Sequence, residues 1–370
     1  NIKTNNKGNN MKNIAKILFV AISSLSLMLS AKAGELSVSG SAKATYNILN
    51  GAQGDNGIGV TNELNFTASG EMDNGYTWSY SMELDPNAVS AGTTAAAQSG
   101  AENDDTKLTL STPYGTVGVF ISEGGLDVED AGSQSVYGRP TDIGDPSATT
   151  DNYTIDSYNN VQYHTPADLL PFGTSFKIAY APDLSDVAPG ASGNNSGAVS
   201  SQSTSFVGEN ATEMQVKASP IDGLTIGASY FDRDQQGGAV KRDQDAESGA
   251  YYFTYANGPV SIGYSQAYRA ELLANDAYQT ATNVDYYDQT NYSIAFAASD
   301  DLSVSYERET SEKNFVGSGQ ASVEQESSAV QVAYTMGGMT IALSHASHDN
   351  NGYSTTNNQD QSLIAVTMAF

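Results

Sequence analysis

The sequence predicts an all-β chain closed into a transmembrane antiparallel β-barrel of about 16 strands. Three observations carry that prediction. From Glu35 onward, runs of about eight to eleven residues alternate apolar and polar side chains with a period of two. Short turns and long polar loops join these runs in strict alternation. The closing run, Gln361 to Phe370, places Ile364, Val366, Met368 and Phe370 on one face and Leu363, Ala365, Thr367 and Ala369 on the other. Such an apolar strand with an open edge would aggregate, whereas a closed barrel gives it a partner on both sides.

Taken in order, Asn1 to Asn10 read as upstream residues of doubtful translation, and Met11 to Ala33 as a secretory signal. Lys12 and Lys16 precede an apolar core from Ile17 to Leu29, and Ala31 and Ala33 supply the small residues for cleavage. The apolar stretch is shorter than the ~20 residues a spanning helix needs. A single barrel domain is expected over residues 34–370.

Its first run, Glu35 to Tyr46, sets Leu36, Val38, Ala42 and Tyr46 against Ser37, Ser39, Ser41, Lys43 and Thr45. The second sets Leu64, Phe66 and Ala68 against Glu63, Asn65, Thr67 and Ser69. After Asp73-Asn74-Gly75 the third alternates Trp78, Tyr80, Met82 and Leu84 with Thr77, Ser79, Ser81 and Glu83. Further short turns fall at Pro113 to Gly115, Pro166 to Gly173, Pro220 to Gly223, Asn257 to Pro259, Ser299 to Asp301 and Gly337-Gly338. Longer connections centre near Gly54, Ala95, Ala131, Gly193, Gln236, Ala274, Gly317 and Asn351. Seven turns and eight loops join sixteen strands, which need ~160 residues at about ten each. Aromatic residues gather at run ends, among them Tyr46, Tyr76, Tyr180, Tyr230, Tyr264, Tyr292 and Phe370, as girdles at the two membrane interfaces require.

Composition fits this plan. A negative mean hydropathy of -0.36 is consistent with a membrane protein whose strands show lipid only every second residue. There are no cysteines, so neither disulfides nor thiol chemistry is available. Five of the 16 basic residues precede Gly34, leaving eleven against 42 acidic side chains. Such a chain repels nucleic acid and attracts cations.

The signal, the turn and loop alternation and the terminal aromatic strand together resemble the general-diffusion porins of Gram-negative outer membranes, in their sixteen-stranded trimeric form. That resemblance implies an outer-membrane homotrimer of water-filled pores passing ions and small hydrophilic solutes, with the third loop folded into the lumen. It also implies contact with outer-membrane lipid. Phe370 resembles the signal by which barrel assembly machinery recognises a C-terminal strand.

Candidate site residues follow. The connection from Glu123 to Ser157 is the longest, and loops of that length are uncommon unless functional. It carries Glu123, Asp127, Glu129, Asp130, Asp142, Asp145, Asp151 and Asp156, with Arg139 as its one base, and is expected to line a constriction with carboxylates. By strand parity Lys43, Lys107, Lys177, Lys217 and Arg233 project into the lumen, because on the lipid face each would cost about 2–4 kcal/mol at mid-membrane. Lys43, Lys107, Lys177 and Arg233 are candidates for a basic wall facing that loop, and Glu63, Glu83 and Glu213 share their parity. Acid exceeds base, so weak cation selectivity is expected.

No cofactor is expected. Ca2+ gathered by the acidic loops is the one candidate ion, but Asp232, Asp234, Gln236 and Gly237, which resemble the first half of a calcium-binding hand, have Asp243 at position twelve and no flanking helices. His164, His345 and His348 lack metal-ligand spacing. No nucleophile motif accompanies them, and a non-enzymatic channel is expected. A substrate-specific channel for a sugar or other small nutrient is the alternative, with Tyr252 at inward parity. An adhesin or structural barrel is the remaining one.

Overall fold

The computed structural model describes residues 35–50, 56–85, 102–144, 146, 148, 150–182, 184, 210–234, 242–274, 281–317 and 319–370. The expected signal segment and Asp145 lie outside these residues. Sixteen strands close one barrel in which every neighbouring pair is antiparallel. In chain order they begin with β1 (Glu35–Asn50), β2 (Gly57–Glu71), β3 (Thr77–Asp85), β4 (Glu102–Thr112), β5 (Gly115–Ile121), β6 (Asn160–His164), β7 (Ser175–Ala181) and β8 (Asn210–Ile221). There follow β9 (Leu224–Asp234), β11 (Glu247–Asn257), β12 (Val260–Ala270), β14 (Val284–Ala297), β15 (Leu302–Phe315), β16 (Val323–Met336), β17 (Met339–Asp349) and β18 (Gln359–Ala369). Two short strands, β10 (Arg242–Gln244) and β13 (Leu273–Ala274), pair with each other outside the barrel. That ribbon has no signal in the alternation, because neither strand is long enough to show a period.

Closure is made by β1, which pairs with β2 on one side and β18 on the other, so that Lys43 lies opposite both Thr61 and Thr367. Gly40 and Phe370 exchange two backbone hydrogen bonds of 2.8 and 3.0 Å at this seam. A Cβ on Gly40 would lie 2.9 Å from the Phe370 ring, so the seam needs a bare backbone there. All seven short turns fall where the sequence places them, as do the long connections near Ala131, Ala274, Gly317 and Asn351; the centres near Gly54, Ala95, Gly193 and Gln236 lie outside the described residues. In the tightest turns Gly75 and Gly337 adopt φ of 81° and 62°, which a side chain resists.

Burial runs opposite to that of a water-soluble sheet protein. On β18, Ile364, Met368 and Phe370 are 43%, 51% and 68% exposed, while inward Leu363 and Ala365 are buried. The outward surface is an apolar band three or four outward residues tall, such as Val330, Val332, Tyr334 and Met336 on β16. At ~3.3 Å per residue and the usual tilt this spans roughly 15–20 Å, close to the height a membrane barrel needs. An aromatic cluster follows the band, with Tyr264 and Tyr292 ring centres 5.2 Å apart and Phe253 stacked on Tyr264. Beyond it β14 to β16 turn polar on their outward faces, where Arg308 pairs with Glu326 at 2.7 Å.

Candidate functional site: a pore lined by the third long loop

The chain between Ile121 and Asn160 enters the barrel. It leaves β5 through Gly124, whose φ of 86° permits the inward bend, and runs as a flattened hairpin against the inner wall from β8 round to β18. Wall side chains hold its backbone at almost every step. Glu213 on β8 accepts hydrogen bonds from the Leu126 and Ile155 N–H groups at 3.2 and 2.9 Å, tying outgoing and returning arms to one carboxylate. Gln215 donates to the Leu126 carbonyl and Ser293 to the Gly132 carbonyl. Glu307 accepts from the Ser133 and Ser135 hydroxyls, Ser305 from the Val136 N–H, and Gln331 from the Tyr137 N–H. At the tip, Glu309 accepts from Thr141, His348 bonds the Ile143 carbonyl at 2.7 Å, and Gln359 donates to the Gly144 carbonyl. A typical hydrogen bond contributes about 0.5–1.5 kcal/mol net, so a row of them fixes the loop against the wall.

Apolar contacts fill the space between. Leu126 and Ile155 pack with Ala179, Ala211 and Phe231, and Ile143 packs with Ala329, Ala342, Ala346 and Leu363. Closest approach is at Gly132 and Gly263, where a Cβ on Gly263 would overlap the Gly132 carbonyl and one on Gly132 would lie 2.8 Å from the Tyr264 backbone. Loop and strand β12 touch through two glycines.

Within this frame the loop's acids divide into three kinds. Arg139, 9% exposed, is surrounded by acids: Asp130, Asp142 at 3.7 Å, Asp151 at 2.6 Å and Glu309 at 3.5 Å. Glu129 is buried beneath the loop, where it accepts the Asn152 N–H at 2.8 Å. Burial, assisted by Asp127 and Asp130, pushes its pKa up to about 9, so at neutral pH it is an uncharged acid. Asp130 keeps about half its side-chain surface open yet sits deep in the barrel, and burial outweighs Arg139 to push its pKa up. Glu123, Asp127 and Asp142 face the open lumen. Asp145 lies outside the described residues.

The expected basic wall is split in position. Lys43 on β1 reaches across to the loop, 5.7 Å over the Tyr137 ring, and Lys107 on β4 pairs with Glu123 at 2.7 Å. These two stand opposite the loop, with Glu63, Glu83 and Asp105 between them at the same inward parity. Lys177 on β7 lies beside the loop's root in a cavity of about 560 Å³. Arg233 on β9 lies above the loop's docking face, its N–H bonded to the Ala246 carbonyl. His164 and His348 point inward, bonded to Gln162 and to Ser327 respectively, while His345 faces outward against Ser362. Among the described residues no group of three or more His, Asp or Glu is arranged to hold a metal ion. Sequence reading missed the anchors Ser305, Glu307, Glu309, Gln331 and His348. Their available signal was parity: Glu307 and Glu309 flank Arg308 as two inward acids on one strand.

A closed barrel whose lumen is narrowed by an inward acidic loop defines a membrane channel. The family model described as Gram-negative porin matches residues 19–369, and the chain belongs to that family. It is an outer-membrane protein. Solved structures of similar fold include OmpF of Salmonella typhi in complex with daunomycin, at TM-score 0.64 and 14% identity, covering 91% of this chain and 98% of that one. A mutant of the Rh. blastica porin matches at TM-score 0.58 and 14% identity over 91% of this chain and all of the other. A loop-deletion mutant of Vibrio cholerae OmpT, an outer membrane protein, matches at 0.60 and 14% over 92% and 100%. No curated protein matches the sequence.

Proposed function

We propose that the protein is a passive, non-enzymatic diffusion channel for ions and small hydrophilic solutes, weakly selective for cations and working as a homotrimer. The observation that carries this reading is the third loop. Anchored along the wall by side chains that bind its backbone, it leaves the opposite side of the lumen open and presents Asp127 and Asp142 to it. The inward strand positions beside that opening are mostly Ser, Thr and Asn with a few charges, a lining suited to hydrated solutes of many kinds. Potassium should then permeate faster than chloride.

Swelling of liposomes holding the folded protein tests the reading. Rates should fall smoothly with solute size from pentose to tetrasaccharide without saturating. Saturation by one sugar, with exclusion of others of equal size, would favour a substrate-specific channel, and no swelling at all would favour an adhesin or structural barrel.

A further inference from the structure

The turn between β6 and β7 is unlike most of its neighbours on the rim. Residues 73–75, Asp222-Gly223, Asn257-Gly258, residues 299–301 and Gly337-Gly338 reverse the chain with small or polar side chains. Between His164 and Ser175 the connection is longer, and Ala167, Leu169, Leu170, Pro171 and Phe172 make it apolar, with Asp168 its one charge. Residues 167–173 are all exposed, Leu169 at 61% and Phe172 at 65%. Phe172 also adopts φ of 61°, a left-handed conformation that bulky side chains rarely take and that glycine takes without strain. A ring so open packs little of the chain around it.

This patch continues the lipid-facing surface. Tyr163 on β6 and Phe176 and Ile178 on β7 hold outward positions, in register with Val117, Val216 and Met214. The Thr165 N–H bonds the Phe176 carbonyl at 3.0 Å, so the exposed segment starts where that column ends. On the same rim lie outward Ile221 at the end of β8 and Tyr114, whose carbonyl accepts the Tyr163 hydroxyl at 2.7 Å; both are exposed. The wall is also lowest here. Strands β5, β6 and β7 have seven, five and seven residues, against fourteen each in β14, β15 and β16. Only Val161 and Tyr163 face outward on β6. A bilayer meeting a low wall must thin or leave hydrocarbon in water unless other apolar surface makes up the height.

We propose that the β6–β7 turn is a membrane-seated wedge: Leu169, Leu170 and Phe172 insert among the headgroups of the periplasmic leaflet and extend the lipid-facing surface below the lowest part of the wall. Leucine and phenylalanine are the side chains that interfacial segments bury at the boundary between headgroups and acyl chains. The turn carries no lysine or arginine, so its hold on the leaflet is apolar and independent of anionic lipid. Short turns lie on the periplasmic side of such barrels. The inference needs only the barrel's seat in the outer membrane and stands apart from the channel reading.

Fluorescence tests it without requiring a current. Trp78 is the chain's one tryptophan, so Phe172→Trp in a Trp78→Phe background carries a single reporter. Folded into dioleoylphosphatidylcholine vesicles, that reporter should emit in the blue and resist acrylamide. It should lose most of its emission when the lipid is replaced by phosphatidylcholine brominated on the acyl chains near the headgroup. Leu169→Trp in the same background should respond alike, and it serves if the strained position does not accept the larger ring. Asp300→Trp, on the exposed turn between β14 and β15 of the same rim, should be quenched by acrylamide and little by bromine. Acrylamide quenching of the Leu169 and Phe172 reporters as strong as that of Asp300→Trp would overturn the proposal by placing the turn in periplasmic water. Shielding from both quenchers would overturn it by showing that protein, such as a second copy of the chain, covers the patch.

Discussion

Glu129 illustrates how formal charge misstates a pore. Counted from the sequence it is one more carboxylate at the constriction, but it lies under the loop and is neutral at pH 7, its pKa pushed up to about 9 by burial. If the loop lifted off the wall, Glu129 would meet water and return toward its ordinary value near 4.5. The docked state therefore binds the extra proton. Docking is strongest below about pH 5 and weakens as the pH rises toward 9, by at most about 1.4 kcal/mol per pH unit. Open-channel current noise, or nicking of the loop by protease, should rise over that interval in the wild type, and Glu129→Gln should lose the part of the rise above about pH 7, since Asp130, pushed up to about 7, titrates below it. The same variant should leave the reversal potential at pH 7 unchanged, because no charge is removed. A shift in reversal potential as large as that from Asp127→Asn would show Glu129 to be ionised.

Among the elements, strands were legible and the loop's path was not. Alternation alone located all sixteen barrel strands and every turn, since lipid outside and water inside impose the period directly. The inward fold of residues 122–159 depends on anchors that a sequence scatters from Glu213 to Gln359, each an ordinary polar residue at inward parity. Gly132 and Gly263 were equally silent, because the close approach exists only after the loop has docked. Gly263→Val should push the loop's middle from β12 into the open side of the lumen and lower single-channel conductance, by about 1.5-fold or more if the loop sets the narrowest section. Unchanged conductance in a folded variant would place the constriction elsewhere. At the seam, deletion of Phe370 removes two backbone hydrogen bonds with Gly40 and an outward aromatic ring. The yield of heat-modifiable folded protein should fall several-fold, while channels that do form conduct normally.

For the whole molecule, parity predicted which lysines face inward, and the barrel places Lys43, Lys107 and Lys177 there. It could not show that only Lys43 and Lys107 stand across from the loop, with Glu63, Glu83 and Asp105 among them. Position around the barrel depends on strand stagger as well as parity. The account's central claim is that the docked acidic loop, more than acidity in general, sets the ion preference. Charges on the outer surface lie beyond a Debye length of about 8 Å at physiological salt and should be hidden from the lumen. Reversal potential across a KCl gradient tests this most directly, comparing Asp127→Asn, Asp130→Asn and Asp142→Asn together with an outward-facing control of Asp288→Asn, Glu312→Gln and Glu324→Gln. The loop variant should lose most of the cation preference and the control should keep the wild-type value; equal shifts in both, or a shift in the control alone, would contradict the account.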